Sequence, residues 1–488
     1  MANRIIKWYD LITINVYWMG LTTLSQTLGL VFPLLIQNFV GESAKGSYLG
    51  MLRLWTLMVA LLMQAVMGIF SDRSHHAWGR RRPFIITGTI ADIFFIIGVG
   101  FSAGLEGLSG FWFLFLMAIF LQASTNTAHA AQQGLIPDLV PDEKRGLYSG
   151  FKAFFELPFP LIVVSFTIGK FIGRSDLWLG LGMAILVLVF SMLITMLVPE
   201  KRYDEKISPL DWHPFLRLVL MTAIFTLIIL GTGELVRLVG KILGQNKATP
   251  TTLAFGMGFL GLLGMLIAVA LGVWICVQIS IGKTAARGNP SYSWWVMNRL
   301  AFLVGTTNLS AFAVYFIQAR LGYPKETAVS PAANLMLVVG ISILIFVLPA
   351  GWLSDRFGKK KVVFVAGILA TTGTIIALSA PIMNVIYIGG IFIGAATGLF
   401  FTSNWALGTS LVPKAEAGKY LGISNLAGAG AGAVGAYIGG PIADAFTTYV
   451  PNSPGLGYVV LFSIYGLIFF LSTFALIKVK EVKQLLPA

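Results

Sequence analysis

Long apolar runs alternate with short polar loops along the whole chain. Fourteen runs stand near 11–37, 47–70, 84–103, 111–136, 147–172, 178–198, 215–240, 252–280, 294–319, 331–353, 362–379, 384–411, 420–446 and 456–477. A helical membrane span needs about 20 mainly apolar residues. The runs are continuous rather than alternating, which predicts spanning helices and not the strands of a barrel. An even count places both termini on one side. The first run is too long for the apolar core of a cleavable signal and lacks a small-residue cleavage site, so it is expected to remain as the first span.

The loops carry an internal repeat. Gly68-Ile69-Phe70-Ser71-Asp72-Arg73 is followed by Gly79-Arg80-Arg81-Arg82-Pro83, and Gly351-Trp352-Leu353-Ser354-Asp355-Arg356 by Gly358-Lys359-Lys360-Lys361. Thr22-Thr23 is echoed by Thr306-Thr307, and Leu139-Val140-Pro141 by Leu411-Val412-Pro413. The echoes align span 9 with span 1 and so on to the end, leaving spans 7 and 8 without counterparts. The expected architecture is all-α and polytopic: a six-helix bundle (1–200), a segment of linkers and two inserted helices (201–290), and a second six-helix bundle (291–488). Two related helical halves predict a secondary transporter with its site between them.

Composition agrees, with 57% hydrophobic and 11% charged residues. The single cysteine, Cys276, excludes an intramolecular disulfide. The net charge of +14 first suggests nucleic acid or a membrane as partner. Sorted by segment, 24 of the 34 Lys and Arg fall on the side of the N-terminus. That is the positive-inside bias, so the charge sets orientation, both termini are cytoplasmic, and nucleic acid is not implied. No motif implies a cofactor, a metal or an enzyme. The expected partners are a small-molecule solute and the lipid bilayer, and the expected state is a monomer.

The repeated Gly-x-x-x-Asp-Arg with its following basic cluster resembles the loop of the major facilitator superfamily. The longer first copy, through Arg82-Pro83-Phe84-Ile85, is similar to that of sucrose transporters and their relatives among the glycoside–pentoside–hexuronide cation symporters. Pro137-Asp138-Leu139-Val140-Pro141 through Arg145-Gly146 resembles bacterial members of that group. The resemblance implies the major facilitator fold, alternating access and sugar symport in a bacterial plasma membrane. Independently of family, an Asp at a helix end and a nearby Arg cluster can form bonds that join helices in one state and break in another. Asp72, Arg73, Arg80, Arg81, Asp355 and Arg356 are therefore the gating candidates; the alternative is that these basic loops are only positive-inside anchors, and the two roles can coexist.

Polar residues deep in a span are costly unless they face a cavity or each other. Gln122, Thr125, Asn126 and His129 recur at helical spacing and form a stripe, suited to a hydroxylated ligand or to a helix–helix seam. Glu156 lies about 15 Å into span 5, at a depth similar to Asn126 and His129. With Lys152 one turn before it, the Glu is either a proton-coupling group or half of a structural ion pair. Asp92 is the other buried carboxylate; because third helices of the superfamily are usually peripheral, it ranks below Glu156. Gln26, Thr307, Asn308, Tyr315, Asn404, Trp405 and Asn425 complete the substrate-binding candidates, with Trp405 suited either to stacking on a sugar ring or to packing.

Two departures from the resemblance stand out. Sucrose symporters carry an Asp in the fourth helix where this chain has Gln122, and melibiose-permease-like symporters use acids in the second helix, where this chain has none before Asp72. Coupling then falls to Glu156, Asp92 or His129, or is absent. The alternatives are a multidrug or lipophilic-compound exporter and a non-transporting membrane assembly factor of the same fold, docking through spans 7 and 8.

Overall fold

A computed structural model describes residues 7–198, 200, 212–412, 417–453 and 455–480, apart from the side chains of residues 142, 417–419, 421, 422, 424 and 425. Thirteen of the described helices are long and apolar enough to cross a membrane, and a bent pair makes up a fourteenth span. In chain order they are α1 (Asp10–Val40), α2 (Lys45–Asp72), α3 (Arg82–Ser102), α4 (Gly107–Leu139), α5 (Arg145–Gly173), α6 (Leu177–Thr195), α7 (His213–Gln245) and α8 (Pro250–Ile281). Then follow α9 (Pro290–Ala311 with Ala313–Leu321), α10 (Val329–Phe357), α11 (Lys359–Ser379), α12 (Met383–Leu411), α13 (Ala417–Tyr449) and α14 (Gly455–Ala475). The described residues contain no strand. The fold is the expected polytopic all-α one.

Helix starts follow local chemistry. Pro290 opens α9 and Pro250 opens α8, where a missing N–H costs nothing. The side chains of Asn289 and Thr249 accept the first free N–H groups, from Tyr292 and Thr252. Two spans are interrupted. α9 bends by 60° at Phe312, although its sequence there has neither Pro nor Gly. In α5 the interruption is legible: Pro158 and Pro160 cannot donate to the carbonyls of Phe154 and Glu156, so the helix breaks at Leu157, and a π-helical turn follows at Val164–Ile168.

The chain gathers into two compact units, one of Met1–Phe39 and Val59–Phe215, the other of Val40–Met58 and Leu216–Ala488. In the first, α3 packs against α4 and α6; in the second, the equivalent α11 packs against α12 and α14. Small residues permit these seams. A Cβ on Gly88 would meet the Ser124 carbonyl at 2.9 Å, and one on Gly373 the Gly389 carbonyl at 2.7 Å. Seam hydrogen bonds repeat as well. Gln132 donates to the Ile14 carbonyl at 2.7 Å, and Asn404, its counterpart by the echo spacing, donates to Asn298 at 2.9 Å.

The second unit includes α7 and α8. The Phe225 ring of α7 fills notches left by Gly272 and Gly430, and α8 packs on α9, α13 and α14. Glu234 and Arg237 pair at 2.9 Å, as their spacing suggests, and Tyr437 donates to Glu234 at 2.7 Å. Leu227, Leu238, Phe255, Phe259 and Trp274 remain exposed, the character of helix faces turned to lipid.

Candidate functional site

The first basic loop folds into a closed ionic cluster inside the first unit. Arg81, only 5% exposed, pairs with Asp72 at 2.5 Å and with Asp138 of α4 at 2.8 Å, and donates to Ser71 at 3.1 Å. Arg80 pairs with the same Asp138. Burial opposes the charge on Arg81, but the hydrogen bonds and charges of Asp138 and Asp72 more than offset it and raise its pKa. Glu200 accepts from the backbone N–H groups of Arg81 at 2.9 Å and Arg82 at 3.1 Å, capping α3. Burial raises the Glu200 carboxyl above its ordinary range, against the pull of those N–H groups. A Cβ on Gly134 would lie 2.3 Å from the Arg81 guanidinium carbon, so a glycine on α4 makes room for the arginine.

Gly79 and Gly358, the repeated glycines of the two loops, have φ of +103° and +94°. The repeat is thus partly a backbone requirement. A side chain on Gly79 would also stand 2.4 Å from Glu200. Gly79→Ala is expected to destabilise the protein by about 1–3 kcal/mol, read as a lower unfolding midpoint in detergent; an unchanged midpoint would contradict this account.

The second loop is organised differently. Asp355 and Arg356 are exposed, Arg356 lies 5.2 Å from the Trp352 ring centre, and Asp355 makes no ion pair among the described residues. Lys360 stands where the first loop has Arg81, and donates to the Val479 carbonyl at 2.9 Å. Ser410 occupies the place of Asp138. Of the six gating candidates, the structure brings Asp72, Arg80 and Arg81 together; Arg73 lies half-buried at the end of α2.

Deeper in the first unit, α1, α4 and α5 assemble a polar and aromatic cluster. The Lys152 ammonium lies 3.9 Å from the Trp18 ring centre and 3.4 Å from Glu156. Trp18 meets His129 edge-on at 5.0 Å, and His129 shares a 3.1 Å hydrogen bond with Gln133. Asn126 donates to the Gln122 side chain at 3.2 Å. Thr125 leaves the stripe: its hydroxyl donates to Asp92 at 2.8 Å, on the α3 side. Asp92 is wholly buried, with Ser124 as a second donor to Oδ1 and no hydrogen bond to Oδ2. Gln26 is half-buried on α1.

The second-unit candidates are largely seam residues. Asn308 is fully buried and donates to the Ala431 carbonyl at 3.0 Å; the Thr307 hydroxyl donates to Leu303 at 2.7 Å. Tyr315 is fully buried beneath the Lys45 ammonium at 4.6 Å. Asn404 is buried between α9 and α12, whereas Trp405 is 42% exposed. The side chain of Asn425 lies outside the described residues.

Several residues escaped the sequence reading. Trp18 and Gln133 pass for ordinary membrane residues. Asp138 was visible only as part of the Pro137–Pro141 stretch. Arg53 and Arg299, which a sum of charges by segment does not single out, lie within spans, α2 and α9, and neither makes an ion pair among the described residues. Asp444 of α13 accepts from the N–H groups of Gly46 and Ser47 at 2.9 and 2.7 Å, capping α2, while the adjacent Lys45 pairs with Glu42 and donates to Gln318 at 3.1 Å.

Residues 294–487 match the model of the Major Facilitator Superfamily. Solved structures match over nearly the whole chain. A D-xylose–proton symporter is 19% identical with TM-score 0.64, covering 98% of this chain and 99% of that one. The nucleoside transporter NupG is 13% identical with TM-score 0.65, covering 96% and 100%. Among curated relatives, the sucrose transport protein SUT1 of Oryza sativa subsp. japonica is 39% identical over 46 residues, so the match spans only 9% of this chain and 9% of that relative. The chain is a multi-pass membrane protein with the fold of these solved transporters, and the family model covers its residues 294–487.

Proposed function

We propose that the chain carries a small polyhydroxylated solute, a sugar or glycoside, across a bacterial plasma membrane by alternating access, coupled to protons through Glu156. In this reading residues 1–200 and 291–488 are the two six-helix bundles, 201–290 holds the linkers and the inserted pair, both termini are cytoplasmic, and the transporter works as a monomer. One observation carries it: Lys152, Glu156, Trp18, His129 and Gln133 meet within membrane-spanning helices, beside the proline break of α5. An aromatic face with hydrogen-bonding groups around it suits a sugar ring. A carboxylate shared between a lysine and a proton suits coupling. The similarity to a D-xylose–proton symporter and the short match to sucrose transport proteins support the substrate class.

The test is uptake by proteoliposomes holding the purified full chain, offered radiolabelled xylose, sucrose and uridine with and without an inward pH gradient. Accumulation of a sugar above its external concentration only under the gradient is the expected result. Tetraphenylphosphonium offered to the same proteoliposomes is the control: its transport to the exclusion of all three polar solutes would replace this reading with export.

A further inference from the structure

The inserted helix α7 carries charge on a face where lipid would reward none. Arg217 and Lys241 bracket its apolar stretch and stand about 36 Å apart at 1.5 Å per residue, slightly more than the thickness of a hydrocarbon core. Glu234 lies about 10 Å inside Lys241 and Arg237 about 6 Å inside it. The two pair at 2.9 Å, yet the Glu234 side chain is 51% exposed and that of Arg237 46%. Tyr437 of α13 donates to the same Glu234 oxygen at 2.7 Å and fixes it from behind. Both bonds use Oε1, so among the described residues Oε2 of Glu234 accepts nothing, and Nε and Nη2 of Arg237 donate to nothing. Leu220, Ala223, Leu227 and Gly231 precede the pair on one exposed ridge, and Leu238 continues it, at steps of three and four residues. A Cβ on Gly231 would meet nothing within 4 Å. Water does not solvate hydrogen-bonding groups at this depth, and such groups find partners on neighbouring helices.

We infer that this ridge of α7 docks a second copy of the chain. An acid and a base one turn apart on one face are self-complementary. In two parallel copies related by a twofold axis along the membrane normal, Glu234 of each copy meets Arg237 of the other, and the free Oε2 and Nη2 become a charge-assisted pair. Charge decides the occupant. An acyl chain offers nothing to either group, and an unrelated helix would need an acid and a base at matching spacing, which a second copy necessarily carries. Ala223 and Gly231 let the two helices approach closely. Each copy keeps all its spans, so the single chain remains the working transport unit.

The test counts subunits of the fluorescently tagged full chain by photobleaching steps in liposomes, over a range of protein-to-lipid ratios and without any solute. Two-step spots that increase with protein density are the expected result. Glu234→Arg and Arg237→Glu should each raise the density needed for half-association ten-fold or more, because each variant sets like charges against each other. Mixing the two variants, tagged in different colours, should restore association as two-colour pairs. Only a bond between copies predicts that rescue. If the charge variants do not fold, cross-linking decides in a Cys276→Ser background, where the chain has no other cysteine. Leu227→Cys on the ridge should form an intermolecular disulfide, and Leu348→Cys, equally exposed but on α10, should not. Single-step spots at every density overturn the inference. So do pairs indifferent to both charge variants, loss of pairing without rescue by mixing, and cross-linking that is absent at 227 or equal at the two positions. None of these outcomes touches the solute-transport reading, which the uptake assay tests separately.

Discussion

Asp138→Asn is expected to abolish transport and to destabilise the first unit by about 3–5 kcal/mol, the cost of breaking a buried charge cluster from one side. Asp138 is 17% exposed and serves two guanidiniums at once, one of them only 5% exposed. An amide presents one acceptor oxygen and a pair of donors, and the donors would face Arg80 and Arg81. Asp72 is different. Its side chain is 59% exposed, so solvent screens its pairing with Arg81, and Asp72→Asn should cost no more than about 1 kcal/mol. The two variants thus separate an anchor from a gate. Asp138→Asn should lower both the unfolding midpoint and the rate, whereas Asp72→Asn should slow transport while leaving the midpoint and the substrate affinity nearly unchanged. Equal midpoints for the two variants would refute the assignment, and an unchanged rate in Asp72→Asn would remove the gating role.

The second large effect is expected at Glu156. Its carboxylate is 3.4 Å from Lys152, whose ammonium also rests on the Trp18 ring, and the next residues are the break at Leu157 and Pro158. Protonating Glu156 removes one of the two attractions on Lys152 and leaves the aromatic one. A change in charge at the point where α5 is least constrained can bias the orientation of that helix, the minimum that coupling requires. We expect Glu156→Gln to lose gradient-driven accumulation and to retain equilibrative exchange, because Gln keeps the shape and most of the hydrogen bonding. Uptake and counterflow in the same proteoliposomes measure the two. If the variant still concentrates solute, Glu156 is a structural partner of Lys152 and coupling passes to Asp92 or His129.

The fold was legible because its cause is compositional. Apolar runs long enough to span, separated by basic loops, leave few alternatives to a helical bundle. The repeated glycines were legible for a similar reason, since the backbone at Gly79 and Gly358 needs positive φ. The site was less so. Helical spacing put Thr125 on the stripe, yet its hydroxyl turns to Asp92, because a buried carboxylate on the next helix competes for it. Asn308, Tyr315 and Asn404 looked like ligands for a solute, yet they are held in seams between helices. Periodicity shows which residues share a face but not what covers that face. Conversely, a loop-by-loop sum of charges hid Arg53 and Arg299, since counting cations for orientation ignores depth.

The second unit takes residues 40–58 from a helix whose remainder belongs to the first. That end of α2 is fastened by more than apolar contact. Asp444 receives its first N–H groups, a Cβ on Gly46 would meet the Gly440 carbonyl at 2.7 Å, and one on Gly50 the Ala436 carbonyl at 2.4 Å. The gene-level repeat and the mechanical parts therefore do not coincide. A chain severed in the linker after α6 would leave one fragment with a bare glycine-lined groove and the other with a helix end lacking its cap. Neither fragment keeps this contact, so each part of the sequence repeat relies on the other to cover it.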